Sequence, residues 1–306
     1  MKIQSASSIL MIRPSAFAYN PETAKDNRFQ VGNAPEEAGV LALFDGMVAA
    51  LRKAGVEVFV WEEPAVSHCP DAIFPNNWVT FHSSGEVVLY PMKAPSRRAE
   101  RRPEVLDFVR SQGFELGPVT DLSDSENTGR FLEGTGSLVL DHPARIAYAA
   151  VSERTDLTLA LEWCRRMAYE PVLFHSKLRN APVYHTNVIL SIGTTWAAVC
   201  PDAIVHSEER ELVLNSLESS GKMILPVTPV QVEHFCGNML EVRTRANEPL
   251  IVCSNAAFSA FTPEQRAALS HHGQLIHPDV SLIETQGGGS VRCMMAEVFS
   301  PRVISS

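Results

Sequence analysis

Five polar residues recur along the chain at a nearly fixed step: Asn77 in PDAIFPNNW, Glu133 in FLEGTG, His185 in VYHTN, Asn238 in FCGNM and Cys293 in SVRCM. The intervals between them are 56, 52, 53 and 55 residues. Among the five are a thiol, an imidazole and a carboxylate, the groups that serve as nucleophile, base and orienter in covalent catalysis. A cysteine taken alone reads more readily as a small buried hydrophobe. Cys293 differs in following Gly287, Gly288 and Gly289, residues that let backbone turn tightly or come close to a ligand. If the five positions are equivalent in repeats around one axis, their side chains converge, and Cys293 acquires a base and an orienting carboxylate.

Such convergence needs repeated elements, and the helix-to-strand junctions supply them. EEAGVLALFDGMVAALRKAG carries Val40, Phe44, Met47, Val48 and Leu51 at helical spacing, ends at Gly55 and runs into the strand-like VEVFVWE. PEVLDFVRSQG ends at Gly113, TDLTLALEWCRRMAYE at Glu170, and SEERELVLNSLESSG at Gly221. TPEQRAALSHHG opens with Thr262, Pro263 and Gln265, a capping-box start, and ends at Gly273. The junctions are 58, 57, 51 and 52 residues apart, which is an internal repeat.

Between them lie hairpin-like stretches such as NNWVTFHSSGEVVLYPM and TNVILSIGTTWAAVC. The unit is therefore strand, strand, helix, strand. The fifth unit lacks a strand, which SILMIRPSA near the N-terminus can supply, closing a ring. The expectation is one α/β domain over residues 1–306. A two-domain split near residue 150 is the alternative, and no linker composition supports it.

Composition narrows the function classes. The 306 residues carry a net charge of −9, which argues against nucleic acid or anionic membrane as the main partner. No apolar stretch approaches a membrane span, and the N-terminal run is broken by Arg13 and Pro14, so the cytoplasm is the expected compartment. Six cysteines without CxxC spacing read as reduced thiols rather than a disulfide frame or zinc site. His271, His272 and His277 fall at a helix end and in a strand, a poor metal set, and no metal or organic cofactor is expected.

In order, PDAIF, LEG, a histidine after a tyrosine, SERT and GGGSVRCM resemble the guanidine-modifying, or pentein, superfamily over essentially the whole chain. That superfamily includes arginine deiminases, dimethylarginine dimethylaminohydrolases, amidinotransferases and succinylarginine dihydrolases. The resemblance is nearest in pattern to citrulline-utilising hydrolases. It implies a five-bladed α/β propeller of ββαβ repeats, with Cys293 as nucleophile, His185 as general acid/base and Glu133 as a carboxylate holding substrate. It also implies an arginine-like amino acid as the small-molecule partner, and a homodimer by family habit alone.

Two departures from the arginine-acting pattern bear on the substrate. Relatives that act on a guanidinium often carry aspartate where this chain has Asn77, and arginine deiminases carry one where Asn187 stands. An amide offers one acceptor and two donors, which suits a neutral ureido group. Asp71 is an alternative source of a carboxylate. For the substrate's own carboxylate the resemblance points to Arg97 and Arg154, with Arg98 close behind. Arg101 and Arg102 extend the same cluster, and Arg292 is suited either to hold the loop or to favour thiolate. Asn238 is a further substrate contact. The expected reaction is L-citrulline to ornithine, carbon dioxide and ammonia. Arginine dihydrolysis or deimination and amidino transfer to an amine are the alternatives. A non-catalytic binding pentein would lack the cysteine, histidine or glutamate, and all three are present.

Overall fold

In the computed structural model, which describes residues 3–31 and 37–303, the strands run in a recurrent order. The first five are β1 (Ser8–Arg13), β2 (Glu57–Glu62), β3 (Val79–Phe81), β4 (Val87–Leu89) and β5 (Val119–Asp121). Next come β6 (Val139–Asp141), β7 (Ile146–Val151), β8 (Glu170–His175), and the short pair β9 (Lys177–Leu178) and β10 (Ala181–Pro182). The rest are β11 (Leu190–Ile192), β12 (Trp196–Val199), β13 (Met223–Pro226), β14 (Leu240–Arg243), β15 (Pro249–Val252), β16 (Gln274–Ile276) and β17 (Ala296–Glu297).

Apart from the β9–β10 hairpin they form five three-stranded sheets, ordered β17-β1-β2, β3-β4-β5, β6-β7-β8, β11-β12-β13 and β14-β15-β16. In each, the outer partners of the central strand pair antiparallel on one side and parallel on the other. The parallel step needs a crossover, and a helix provides it each time: Glu37–Lys53, Pro103–Ser111, Leu157–Met167, Ser207–Ser219 and Pro263–Ser270. β1 completes the sheet begun by β17, the strand that follows Cys293, with Ile9 opposite Glu297 and Leu10 opposite Ala296.

The helix Glu37–Lys53 shows how the pattern becomes packing. Val40, Phe44, Met47 and Leu51 are fully buried against the first sheet, and each buried side chain of this size contributes about 1.5–3 kcal/mol. The helix ends where Gly55 takes φ 93°, a conformation that costs glycine little. Gly113 and Gly221 end their helices in the same way. The other two junctions use no left-handed glycine. Ala168 (φ 54°) supplies the left-handed residue before β8. Gly273 has no positive φ; a side chain there would meet the Pro249 carbonyl at 2.8 Å.

Neighbouring sheets are tied by backbone. Phe299 N–H donates to Phe81 O (3.3 Å) and joins the first sheet to the second, while Arg243 N–H donates to Ala6 O (2.9 Å) and joins the fifth sheet to the first. All six cysteines are free and buried. Among the described residues no helix is long and apolar enough to cross a membrane.

Candidate active site

A single helical turn precedes the first strand of three sheets: Pro75–Asn77 before β3, Gly134–Ser137 before β6 and Thr186–Val188 before β11. These turns carry the recurrent polar residues, but not in one register. Asn77 is the last residue of its turn, whereas Glu133 and His185 are the N-caps of theirs. The even spacing in sequence therefore overstates their equivalence. Asn187, two residues past His185, lies inside its turn and reaches Cys293.

His185 and Glu133 form a direct pair. His185 Nε2 lies 2.8 Å from Glu133 Oε2, and both residues are buried. The same carboxylate accepts Lys93 N–H at 3.0 Å and faces Arg154 Nη1 at 3.4 Å. Burial opposes ionisation of Glu133, but Arg154 and then His185 overcome it and hold the carboxyl far below its usual range. Burial also lowers His185 below its ordinary value, with Glu133 working in the opposite direction. No hydrogen bond within the described residues engages His185 Nδ1, which leaves that nitrogen for proton transfer. The oxygens of Glu133 are engaged by His185, Arg154 and Lys93, and Glu133 is not among the residues lining the cavity, where the resemblance implies a carboxylate holding substrate.

The fit behind this pair depends on Gly136. A β-carbon there would stand 2.8 Å from His185 Nδ1 and 2.6 Å from Asn77 Nδ2. The second glycine of FLEGTG thus lets the imidazole and the amide pack against one backbone.

Cys293 is buried and its sulfur faces two amides: Asn238 Nδ2 at 3.4 Å and Asn187 Nδ2 at 3.7 Å. Asn238 is itself fixed, donating to Asn187 O (3.0 Å) and accepting from Arg292 N–H (3.2 Å). Two amide donors are thus aimed at the sulfur. Neither asparagine is among the residues lining the cavity in front of the thiol; both expected substrate contacts face the sulfur. The Arg292 guanidinium bonds Met295 O (3.0 Å) and lies 3.6 Å from Glu297, which assigns it to holding the loop.

The cavity is narrow, about 20 Å³, and is lined by Cys293, His185, Asp71, Asn77, Arg97, Arg154, Thr23, Asn27, Phe74, Tyr184 and the three glycines. Gly287 and Gly289 face the Phe74 ring, where a β-carbon would come within 2.8 Å, so part of the reason for these glycines is an aromatic packed on them. Two polar atoms lack any partner here: Asp71 Oδ1, an acceptor, and Asn77 Nδ2, a donor. Buried polar atoms are seldom left unpaired. Burial raises Asp71 above the usual carboxylate range despite Arg97 nearby.

The arginines divide sharply. Arg97 is buried and committed, with Nε and Nη2 on Glu100 (2.9 and 2.8 Å), Nη2 also on Phe74 O (3.1 Å) and Nη1 on Asn77 Oδ1 (2.8 Å). It braces Asn77 through the amide oxygen and leaves the amide nitrogen without a partner. Arg98 does not reach the cavity; its guanidinium bonds Met92 O (3.2 Å) and Glu126 (3.2 Å), because adjacent residues on a helical turn point about 100° apart. Arg101 likewise pairs with Glu126 at 2.6 Å. Arg154 contacts the cavity but is occupied by Asp26, with Thr23 O at 2.9 Å and Glu133 beyond.

Asp26 belongs to a segment absent from the sequence-based site. The strap that follows β1, residues 14–31, lies over the cavity. Asn20 Nδ2 donates to Asp71 Oδ2 (2.7 Å), Thr23 Oγ1 to the same oxygen (3.2 Å), and Asn27 Nδ2 to Gly288 O (3.2 Å). Its signal was its length, since a connection of more than twenty residues in a compact domain is usually functional. A groove of about 540 Å³ adjoins the cavity, sharing Tyr184 with it and walled on one side by Asp26, Arg28, Phe29 and Val31.

A family model described as N,N dimethylarginine dimethylhydrolase, eukaryotic, matches residues 13–300. The chain belongs to that family. No curated protein matches it in sequence. Among solved structures it is similar to ArgZ, an arginine dihydrolase from the ornithine-ammonia cycle in cyanobacteria, with a TM-score of 0.75 and 17% identity. That match covers 97% of this chain and 41% of ArgZ, so the chain spans less than half of that protein's length. The N-terminal domain of ArgZ bound to substrate matches at TM-score 0.74 and 17% identity, covering 95% of this chain and 99% of the domain. A dimethylarginine dimethylaminohydrolase adduct with 4-chloro-2-hydroxymethylpyridine matches at TM-score 0.65 and 16% identity, over 97% of this chain and 99% of the other. Family and fold together place the chain in the pentein, guanidino-modifying superfamily.

Proposed function

We propose that this chain hydrolyses C–N bonds at the guanidino and ureido carbons of an arginine-like amino acid, through a covalent intermediate on Cys293. We further infer that its five sheets close into a five-bladed propeller, a reading that rests on the recurrent topology and the backbone bonds between the last sheet and the first. The observation that carries the function is one cavity lined by a thiol, by His185 with Glu133 paired behind it, by an unpaired carboxylate oxygen on Asp71 and by Asn77 with its unpaired amide donor.

The steps follow from the groups. The Cys293 sulfur, faced by the Asn187 and Asn238 amides, attacks the carbon as thiolate. His185 delivers a proton to the departing ammonia and then takes one from water. From a guanidinium, hydrolysis of the thiouronium adduct releases the thiol and leaves a ureido group. From a ureido group, loss of ammonia leaves a thiocarbamate, and its hydrolysis gives a carbamate that decomposes to amine and carbon dioxide. Asp71 Oδ1 accepts from the substrate nitrogens, and Asn77 Nδ2 donates to a ureido oxygen. L-Citrulline cleaved to ornithine is therefore one reaction, and arginine carried through both cleavages another. With Asn187 turned to the sulfur, the ureido argument rests on Asn77, and Asp71 keeps guanidinium in range.

A cavity of 20 Å³ holds no amino acid, so the strap must lift for substrate to enter from the adjoining groove. Lifting removes Asp26 from Arg154, freeing that guanidinium for the substrate carboxylate.

A second reading is a dimethylarginine hydrolase that stops at citrulline, favoured by the family match over residues 13–300. The test supplies purified protein with L-citrulline, L-arginine and N,N-dimethylarginine separately, with Cys293→Ala as control. Ornithine from citrulline and arginine supports the proposal; citrulline accumulating from dimethylarginine, with no ornithine, supports the second reading. No product above the control from any of the three overturns both.

A further inference from the structure

Away from the cavity, His175, His206 and Glu209 each bring a ligating atom to within 4.8 Å of the other two. His175 is the last residue of β8, His206 is the N-cap of the helix Ser207–Ser219, and Glu209 lies in that helix's first turn. The platform is well anchored. Val205 N–H donates to His175 O (2.9 Å), Ser176 bridges Ile204, and His175 N–H donates to Glu209 Oε2 (2.7 Å).

A histidine–carboxylate pair accounts for His175 and Glu209, whose Nδ1 and Oε1 are 2.9 Å apart. It does not account for His206. That side chain makes no hydrogen bond among the described residues, yet its ring stands 5.5 Å from the His175 ring at an interplanar angle of 80°. Both imidazoles are exposed and Glu209 is half-buried, so bound water can complete a coordination shell. Two imidazole nitrogens and one carboxylate oxygen suit zinc or a similar first-row ion; magnesium and calcium prefer oxygen alone.

We propose that His175, His206 and Glu209 form a surface site for a divalent transition metal of the zinc type. The ion would staple two successive repeats, because β8 closes one sheet and the helix Ser207–Ser219 leads into the next. It would also fasten the start of the segment, through β9 and β10, that ends in Tyr184 and His185.

The test uses the full chain carrying Cys293→Ala, so that the catalytic thiol cannot take the metal; the other five cysteines are buried. Metal-stripped protein is titrated with zinc chloride by calorimetry and melted with and without zinc. The expected result is one equivalent bound and a raised Tm. Adding His206→Ala or Glu209→Gln weakens binding at least ~10-fold and abolishes the Tm shift, while the zinc-free Tm shows that each variant folds. The proposal is overturned if the Cys293→Ala protein binds no zinc, if His206→Ala leaves affinity unchanged, if calcium or magnesium matches zinc, or if His271→Ala/His272→Ala abolishes binding instead.

Discussion

Two buried histidines in this molecule have opposite surroundings. His185 faces a carboxylate held ionised, with Arg154 behind it. His82 faces a chain of neutral hydroxyls: its Nε2 is 2.8 Å from Thr80 Oγ1, which is 2.8 Å from Tyr90 OH, which accepts from Trp163 Nε1 at 3.0 Å. The indole can only donate. The arrangement in which Tyr90 donates to Thr80 and Thr80 to His82 Nε2 satisfies every hydroxyl proton and makes that nitrogen an acceptor. Burial, only partly opposed by Glu86, pushes His82 down to about 4. A proton arriving there would reverse the chain and bury an unpaired charge. At His185 a proton would meet Glu133. Burial alone thus does not suit a histidine to proton transfer; a carboxylate on its second nitrogen does.

That contrast can be broken by substitution. The largest effect is expected at His185: His185→Gln lowers turnover by about 10³–10⁴-fold, whereas His82→Gln leaves kcat within about twofold. Glu133→Gln comes next, at roughly 10²–10⁴-fold by loss of tautomer and orientation. The hydrogen bond and charge of Glu133 raise His185, so the kcat limb that reports loss of the His185 proton moves to lower pH in this variant. An unmoved limb in a pH–rate profile would assign that proton to another group.

Gly136→Ala places a methyl against both His185 and Asn77 and is expected to cost about 10²-fold in kcat with a small change in Tm. Equal loss of kcat and fold would make Gly136 a folding residue only. For His82 the readout is stability. Its folded value, about 4, lies below the unfolded value of 6.5, so its contribution is complete above about 6.5 and is lost as pH falls towards 4. Urea titrations at several pH values should show a shallower loss across that window in His82→Gln. The smallest effect belongs to Arg98→Ala, whose half-exposed guanidinium shares Glu126 with Arg101: within about 0.5 kcal/mol and without effect on turnover.

The repeat was legible in the sequence because its signals are local. Helical spacing, capping residues such as Thr262 with Gln265 and turn glycines each act within a few residues. The strand contributed by the N-terminus could be inferred for the same reason, as the fifth unit lacked one. What the spacing could not convey was side-chain direction. Asn187 and Asn238 fall at the right places, but whether an amide meets substrate or sulfur depends on a turn's register. Arg97 and Arg98 are neighbours in sequence with opposite fates, one buried on Asn77 and the other turned outward to Glu126. The strap escaped notice because Asn20, Thr23, Asp26 and Asn27 meet their partners only across long stretches of chain.

The strap also makes the thiol a clock. Cys293 is 7% exposed beneath it, and the other five cysteines are buried as well. An alkylating reagent therefore finds its principal target only while the strap is raised. The rate of labelling at Cys293 then measures the fraction of molecules open, and Asp26→Asn, by loosening the hold on Arg154, should label faster.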